Sequence, residues 1–176
     1  MALVEARAFY KAVTVDNAGV LDELLRLLEG LELSYCVIGG QGVNAYVEPL
    51  VSLDLDVVVA SDGLPRLLKA LPPSARVEDF PHSVNVTMPE SQLRLQFQTD
   101  PRYMRFPSRS TVRDVLGVRM RVAAVEDVLA GKVWAASDDS RRPSKRQKDL
   151  ADIARLIERF PDLRPNVPQA LLDKLV

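Results

Sequence analysis

The chain has 176 residues, 47% of them apolar, and 23 Lys and Arg against 24 Asp and Glu give a formal net charge of -1. That is enough material for one domain with a buried core, and it excludes a disordered chain and one that grips nucleic acid or anionic membrane by bulk charge. A single cysteine and a single histidine exclude a disulfide framework, a multi-cysteine metal site and a two-histidine metal site.

The N-terminal MALVEARAFY puts Glu5 and Arg7 where a signal peptide needs its apolar run, so mature sequence is expected there. No apolar run approaches the roughly 18 residues of a membrane-spanning helix, and the chain is expected to be soluble and cytoplasmic. Asp16-Asn17 is a helix start, and Leu21, Leu24, Leu25, Leu27 and Leu28 follow at helical spacing up to Gly30. Ser34 to Ile38 predicts a buried strand, Gly39-Gly40-Gln41-Gly42 a break, and Val43 to Val47 a short helix reaching Pro49. Leu53 to Ala60 is a strong strand signal. Asp62 caps a second helix that Pro72-Pro73 stops. Ala75 to Asp79, Ser83 to Met88 and Leu93 to Gln98 predict the strands of a meander, with a further strand at Val118 to Val122.

From Val125 the pattern turns helical, with Val125, Leu129, Val133 and Ala136 on one stripe. A polar, basic break (SDDSRRPSKRQK) precedes an amphipathic helix over Lys148 to Phe160, and a shorter one is expected over Val167 to Leu175. The order predicts an α+β fold: a mixed-sheet core over 1–123 and a helical segment over 124–176 packed on it.

Chemistry concentrates in one stretch. VIGG is followed after thirteen residues by Asp54-Leu55-Asp56 inside the strongest strand. Residues two apart on a strand share a face, so Asp54 and Asp56 point the same way. Two like charges side by side repel, and strands disfavour Asp, so the pair makes sense around a divalent cation. Mg²⁺ characteristically uses one or two carboxylates plus substrate phosphates. Gly39 and Gly40 supply a turn that lets backbone N–H groups approach a phosphate. A solvated Asp56 and a purely structural Gly-Gly turn are the plainer alternative. Together the parts fit metal-dependent phosphoryl or nucleotidyl transfer.

The order strand, Gly-Gly, short helix, then Ser52-Leu53-Asp54-Leu55-Asp56-Val57-Val58-Val59 resembles the nucleotidyltransferase superfamily of polymerase-β-type fold, and within it the AbiEii-like toxin branch. Val125-Glu126-Asp127-Val128-Leu129-Ala130-Gly131-Lys132-Val133-Trp134-Ala135-Ala136 is similar to that branch's lysine-bearing helix, and Arg146-Gln147-Lys148-Asp149-Leu150-Ala151-Asp152-Ile153 to its later acidic element. The resemblance implies a nucleotidyltransferase-like mixed sheet with flanking helices. It implies that Asp54 and Asp56 bind Mg²⁺ or Mn²⁺, that Gly39, Gly40 and Ser52 contact nucleotide, that Lys132 meets phosphate, and that Asp149 is the late acidic site residue. The implied reaction joins a nucleoside monophosphate from an NTP to a hydroxyl of an RNA, such as a tRNA, or of a protein. The implied partner is an antitoxin, and no membrane is implied.

The chain departs from the pattern in two places. Active members carry a third carboxylate on a neighbouring strand, whereas here that strand offers Arg94, Gln96 and Gln98 on one face, and a glutamine cannot act as a base. Asp100 has the same parity but precedes Pro101, and Val51 stands where an arginine is frequent. A catalytically degenerate nucleotide-binding or partner-binding module on the same fold is therefore the alternative reading.

Cys36 reads as a small buried residue, His82 as a loop or edge residue, and Trp134 as core with base stacking as the alternative. Arg141 to Lys148 holds five cations in eight residues, either a solvated loop or a contact for RNA or triphosphate. Residues 101–148 carry 12 Lys and Arg and 5 Asp and Glu, a net of +7, and the rest carries -8. The near-zero total thus conceals a basic stretch beside an acidic site.

Overall fold

A computed structural model describes Ala8, Ala12, Asp16, residues 19–60 and residues 62–175. Asn17 and, apart from Ala8, the MALVEARAFY segment lie outside the described residues. Helix α1 (Val20–Gly30) buries Val20, Leu21, Leu24 and Leu28. The Asp16 carboxylate accepts from the backbone N–H groups of Val20 at 2.7 Å and Leu21 at 3.2 Å, which satisfies two donors the first turn leaves open.

Seven strands form one mixed sheet: β1 (Tyr35–Ile38), β2 (Asp54–Val59), β3 (Arg76–Phe80), β4 (Ser83–Thr87), β5 (Arg94–Gln98), β6 (Thr111–Val115) and β7 (Val118–Val122), in the order β3-β4-β5-β2-β1-β7-β6. β2 runs antiparallel to β1 and parallel to β5, while β1 runs parallel to β7. Between them lie α2 (Gly39–Asn44) and α3 (Gly63–Ala70), and after β7 come α4 (Val125–Ser137), α5 (Pro143–Arg159) and α6 (Gln169–Leu172).

The pleat sorts side chains between two layers. Leu55, Val57 and Val59 of β2, Tyr35 and Val37 of β1 and Leu95 and Phe97 of β5 join α1 and Leu67 of α3 in one apolar cluster. Cys36, Ile38 and Val58 face the other way and join Val128, Leu129 and Val133 of α4 and Leu150, Ile153 and Leu156 of α5. On that second face, β2 and β5 present Asp54, Asp56, Arg94, Gln96 and Gln98 instead of apolar side chains. This polar end of the face carries the site.

Four elements differ from the sequence expectation. The Gly-Gly segment opens α2 rather than preceding it, because Gly39 makes the turn alone at φ +64 and the helix starts at once. β6 escaped notice because TVRDV is an edge strand, exposed at four of its five residues, with no apolar face to betray it. α5 begins at Pro143, five residues before the expected Lys148: Pro at the first helical position carries a preset φ, and the basic run forms the opening turns of a helix rather than a loop. The expected helix over Val167 to Leu175 is reduced to the four-residue α6, which starts only after Pro168, and a 3₁₀ stretch (Pro161–Asn166) precedes it. Among the described residues no helix is long and apolar enough to cross a membrane.

Candidate active site

A cavity of about 650 Å³ opens on the polar face, with Asp54, Asp56, Gln96 and Lys132 among its walls. β2 aims both carboxylates into it, as its alternation requires. Register places Asp56 between Ile38 of β1 and Gln96 of β5, and Asp54 beside Arg94.

The two aspartates differ. Asp54 is ion-paired to Arg94 Nε at 2.7 Å and to Lys145 Nζ at 3.3 Å. The Asp56 side chain makes no hydrogen bond or ion pair among the described residues. Burial pushes its carboxyl up to about 6; the Lys132 charge opposes that rise, Asp54 adds to it, and Lys145 and Arg141 oppose it further. A carboxylate packed by protein and left without a partner beside a second carboxylate is a fitting host for a hard cation. Among the described residues no group of three or more His, Cys, Asp or Glu is arranged to share a metal. Asp54 and Asp56 would supply the two carboxylates, and substrate phosphates and water would complete the shell, which suits Mg²⁺ or Mn²⁺.

Gly39 explains itself here. A Cβ on it would sit 2.0 Å from Asp56 Oδ2 and 2.8 Å from Asp56 Cγ, so only glycine lets the turn pass over the carboxylate. Gly40 lies behind it, where a Cβ would stand 3.4 Å from Ser52 Oγ. Ser52 is buried off the cavity wall, its hydroxyl within 3.4 Å of the Asp54 backbone N–H.

Lys132 and Asp149 belong to a second, closed cluster. Lys132 Nζ lies 3.0 Å from Asp149 Oδ1 and 2.7 Å from Asp152 Oδ2, and all three residues are buried. Burial works against the ammonium, and Asp152 and Asp149 more than offset it, so its pKa stands above the ordinary lysine value. Arg141 pairs with the other oxygen of Asp149, and Arg155 with Asp152 at 2.9 Å and with the carbonyl of Glu48. This chain of charges fastens α4 to α5 and both to the loop before β2.

The structure thus brings Asp54, Asp56, Gly39 and Lys132 to one cavity and sets Asp149 in its rear wall. Gly40 and Ser52 stand behind the turn. His82 lies in the β3–β4 loop, exposed, at the cavity edge. Cys36 is fully buried, and burial pushes its thiol up to about 12, which leaves it unreactive. Trp134 is only half-buried: it packs on Phe106 and Tyr103 and also lines the cavity. Asp100 lies past β5, as its proline neighbour predicted, capping the Pro101–Tyr103 turn.

Sequence reasoning passed over Gln41 and Asn44. Gln41 Nε2 donates to the Ser52 carbonyl at 3.1 Å, and Asn44 Nδ2 donates to the Leu50 carbonyl at 2.7 Å while its Oδ1 accepts from Leu50 N–H at 2.9 Å. They hold the loop that feeds β2, and hence the register of Asp54. Two amides three apart in a six-residue buried helix were the available signal.

A mixed sheet with an acidic pair at the start of a central strand, a glycine turn against it and cations around the cavity belongs to the nucleotidyltransferases of polymerase-β-like fold. Residues 51–175 match the family model described as nucleotidyl transferase AbiEii toxin, Type IV TA system, and the chain belongs to that family. Its fold is shared by the antibiotic-resistance factor ANT(2'')-Ia in complex with adenylyl-2''-tobramycin, at TM-score 0.61 and 13% identity over 89% of this chain and 97% of that one. A solution structure of ANT(2'')-Ia gives TM-score 0.58 at 14% identity, covering 89% of this chain and 90% of that one. The lincomycin-bound lincosamide antibiotic adenylyltransferase LnuA gives TM-score 0.54 at 13% identity, covering 77% of this chain and 95% of that one. No curated protein matches the chain by sequence.

Proposed function

We propose that the protein transfers a nucleoside monophosphate from an NTP to a hydroxyl of an RNA or protein acceptor, with Mg²⁺ or Mn²⁺, as the toxin of a toxin–antitoxin pair neutralised by an antitoxin partner. The observation that carries this reading is the unpartnered Asp56 beside Asp54 at the wall of the cavity, under the turn of Gly39. The family match supports the toxin role, and the similarity of folds supports the transfer chemistry.

In this reading Asp54 and Asp56 hold the cation, which supplies Lewis-acid neutralisation of the phosphates. Gly39 and Gly40 keep the turn thin enough for a triphosphate to approach, and Ser52 braces it from behind. Lys145, in the first turn of α5, and Arg141, just ahead of that helix, supply positive charge to the phosphates. Lys132 contributes its field at Asp56 from within the closed cluster. The acceptor oxygen attacks the α-phosphorus as the bond to the bridging oxygen breaks and pyrophosphate leaves. The hydroxyl proton passes to solvent, since neutral Gln96 beside Asp56 cannot take it. In this reading the sheet of the core carries the acidic pair, and α4 and α5 of the helical segment supply the rest of the cavity wall.

A second reading rests on Gln96, which occupies the register position beside Asp56 where a third acid would stand: a module that binds nucleotide without transferring it. Incubation with each α-³²P-labelled NTP, Mg²⁺ or Mn²⁺, bulk tRNA and the protein itself separates the two. Label on RNA or protein that disappears in Asp56→Asn supports transfer. Nucleotide binding without label transfer to any acceptor supports the module.

A further inference from the structure

The far wall of the cavity carries a feature that neither the metal site nor the phosphate cations use. Three planar groups lie in a ladder. Phe106 and Trp134 are stacked, with centroids 5.9 Å apart at 22°. Tyr103 meets Trp134 edge-on at 5.2 Å, which fixes the indole from the side. Over the indole lies the Arg102 guanidinium, 4.8 Å from the ring centroid. Asp100 holds that guanidinium by its edge: Arg102 Nε donates to both carboxylate oxygens, at 3.2 Å and 3.0 Å, and a terminal nitrogen donates to Oδ2 at 2.8 Å. The Asp100 carboxylate also accepts from the Arg102 backbone N–H at 2.9 Å.

These contacts engage the edge of the guanidinium and set its carbon over the indole. The Arg102 side chain nonetheless remains 55% exposed, and Arg102, Trp134 and Tyr103 all line the cavity that holds Asp54 and Asp56. A surface arginine that merely balanced Asp100 would need no indole beneath it. A planar cation held over an indole, clamped at its edge by Asp100 and left more than half exposed at a cavity wall, is a stacking platform for a planar heteroaromatic ring. The cavity, at about 650 Å³, has the size of a small-molecule site rather than a polymer groove. Its phosphate-directed cations, Lys145 and Arg141, line the same space.

We infer that Arg102, laid on Trp134 and clamped by Asp100, is the platform on which the base of the bound nucleoside triphosphate stacks, a proposal that rests on the nucleotide-transfer reading of the same cavity. Stacking accepts any base and rewards area, so purine nucleotides bind more tightly than pyrimidine ones. Arg102 is a binding residue and Asp100 a positioning residue.

The chain contains one tryptophan, so fluorescence excited at the red edge of the absorption band, where its four tyrosines do not absorb, reports Trp134 alone. The experiment titrates the full chain, wild type and Arg102→Ala, with ATP, CTP and inorganic tripolyphosphate in Mg²⁺, following fluorescence and calorimetry together. ATP is expected to change the fluorescence and tripolyphosphate to bind without doing so. Arg102→Ala is expected to weaken ATP about tenfold and leave tripolyphosphate affinity and the urea midpoint unchanged. Arg102→Lys is expected to restore little, since an ammonium offers a point charge and no plane. Equal ATP affinity in wild type and Arg102→Ala, or full rescue by lysine, overturns the platform while nucleotide binding stands. A fluorescence response to an RNA trinucleotide but not to ATP overturns it in favour of the acceptor's base. Absence of binding by ATP and tripolyphosphate alike sinks the nucleotide reading and the platform with it.

Discussion

Two acidic groups, both conspicuous in the sequence, end in opposite electrostatic conditions. Asp149 and Asp152 are buried, but each is met by a lysine and an arginine, and the cluster closes on itself. Asp54 and Asp56 face a cavity, with Asp54 matched by cations from the rim and Asp56 by none. A buried charge that is fully paired holds helices together; a carboxylate kept unpaired against its own neighbour is work in waiting for a ligand. The location of a carboxylate says less about its role than whether the protein has already answered its charge.

Breaking the closed cluster should have the largest effect on stability. Lys132→Met leaves two buried carboxylates with one arginine each and no shared ammonium between them, and is expected to cost about 3–5 kcal/mol in urea unfolding; a loss under about 1 kcal/mol would mean the cluster does not fasten α4 to α5. At the open pair the order reverses. Asp56→Asn should reduce transfer by at least about a hundredfold, while the protein stays folded by circular dichroism and urea midpoint.

Gly39→Ala sharpens the contrast without touching a charge. It forces a Cβ to within 2.0 Å of Asp56 Oδ2 at a φ of +64. It is expected to cost about 1–3 kcal/mol and to cut transfer as strongly as loss of the carboxylate, whereas Gly30→Ala, with open space around it, should leave transfer intact.

The pH dependence of stability follows from the open pair. Burial raises the Asp56 carboxyl from 3.8 to about 6, so the folded state binds that proton more tightly than the unfolded chain. Its favourable contribution is complete below its ordinary pKa and is lost as pH rises through about 6. In metal-free buffer, Asp56→Asn should therefore gain about 1–3 kcal/mol on wild type between pH 4 and pH 7.5. A constant difference across that range would show that Asp56 is not strained by its ionisation. The smallest effect belongs to the rim: Lys145→Ala should shift the urea midpoint by under about 1 kcal/mol, yet raise the NTP concentration needed for half-maximal transfer, more so at low salt.

Much of this was legible in the chain. The alternation of Leu55, Val57 and Val59 against Asp54, Asp56 and Val58 fixes both the strand and the face that carries the acids. The meander strands and the helix of Lys132 follow from periodicity, and the family followed from the ordered motifs. What stayed hidden depended on contacts between distant segments. Lys132 and Asp149 could be singled out, but that they meet each other requires α4 and α5 to cross. Arg94 and Lys145 flank Asp54 from β5 and from α5, and no spacing rule joins residues 40 and 91 positions away. Arg102 on Trp134 is hidden in the same way, since Asp100, Arg102, Tyr103 and Phe106 share one short stretch while the indole comes from α4. The polar, basic opening of α5 masked a helix because its stabilising residue is Pro143 rather than an apolar stripe.

The most direct measurement compares label transfer from α-³²P-NTP by wild type and Asp56→Asn in the presence of Mg²⁺, with the urea midpoint of each recorded alongside. The account predicts that label transfer disappears while the fold persists at equal or greater stability. Transfer by Asp56→Asn at the wild-type rate would contradict it.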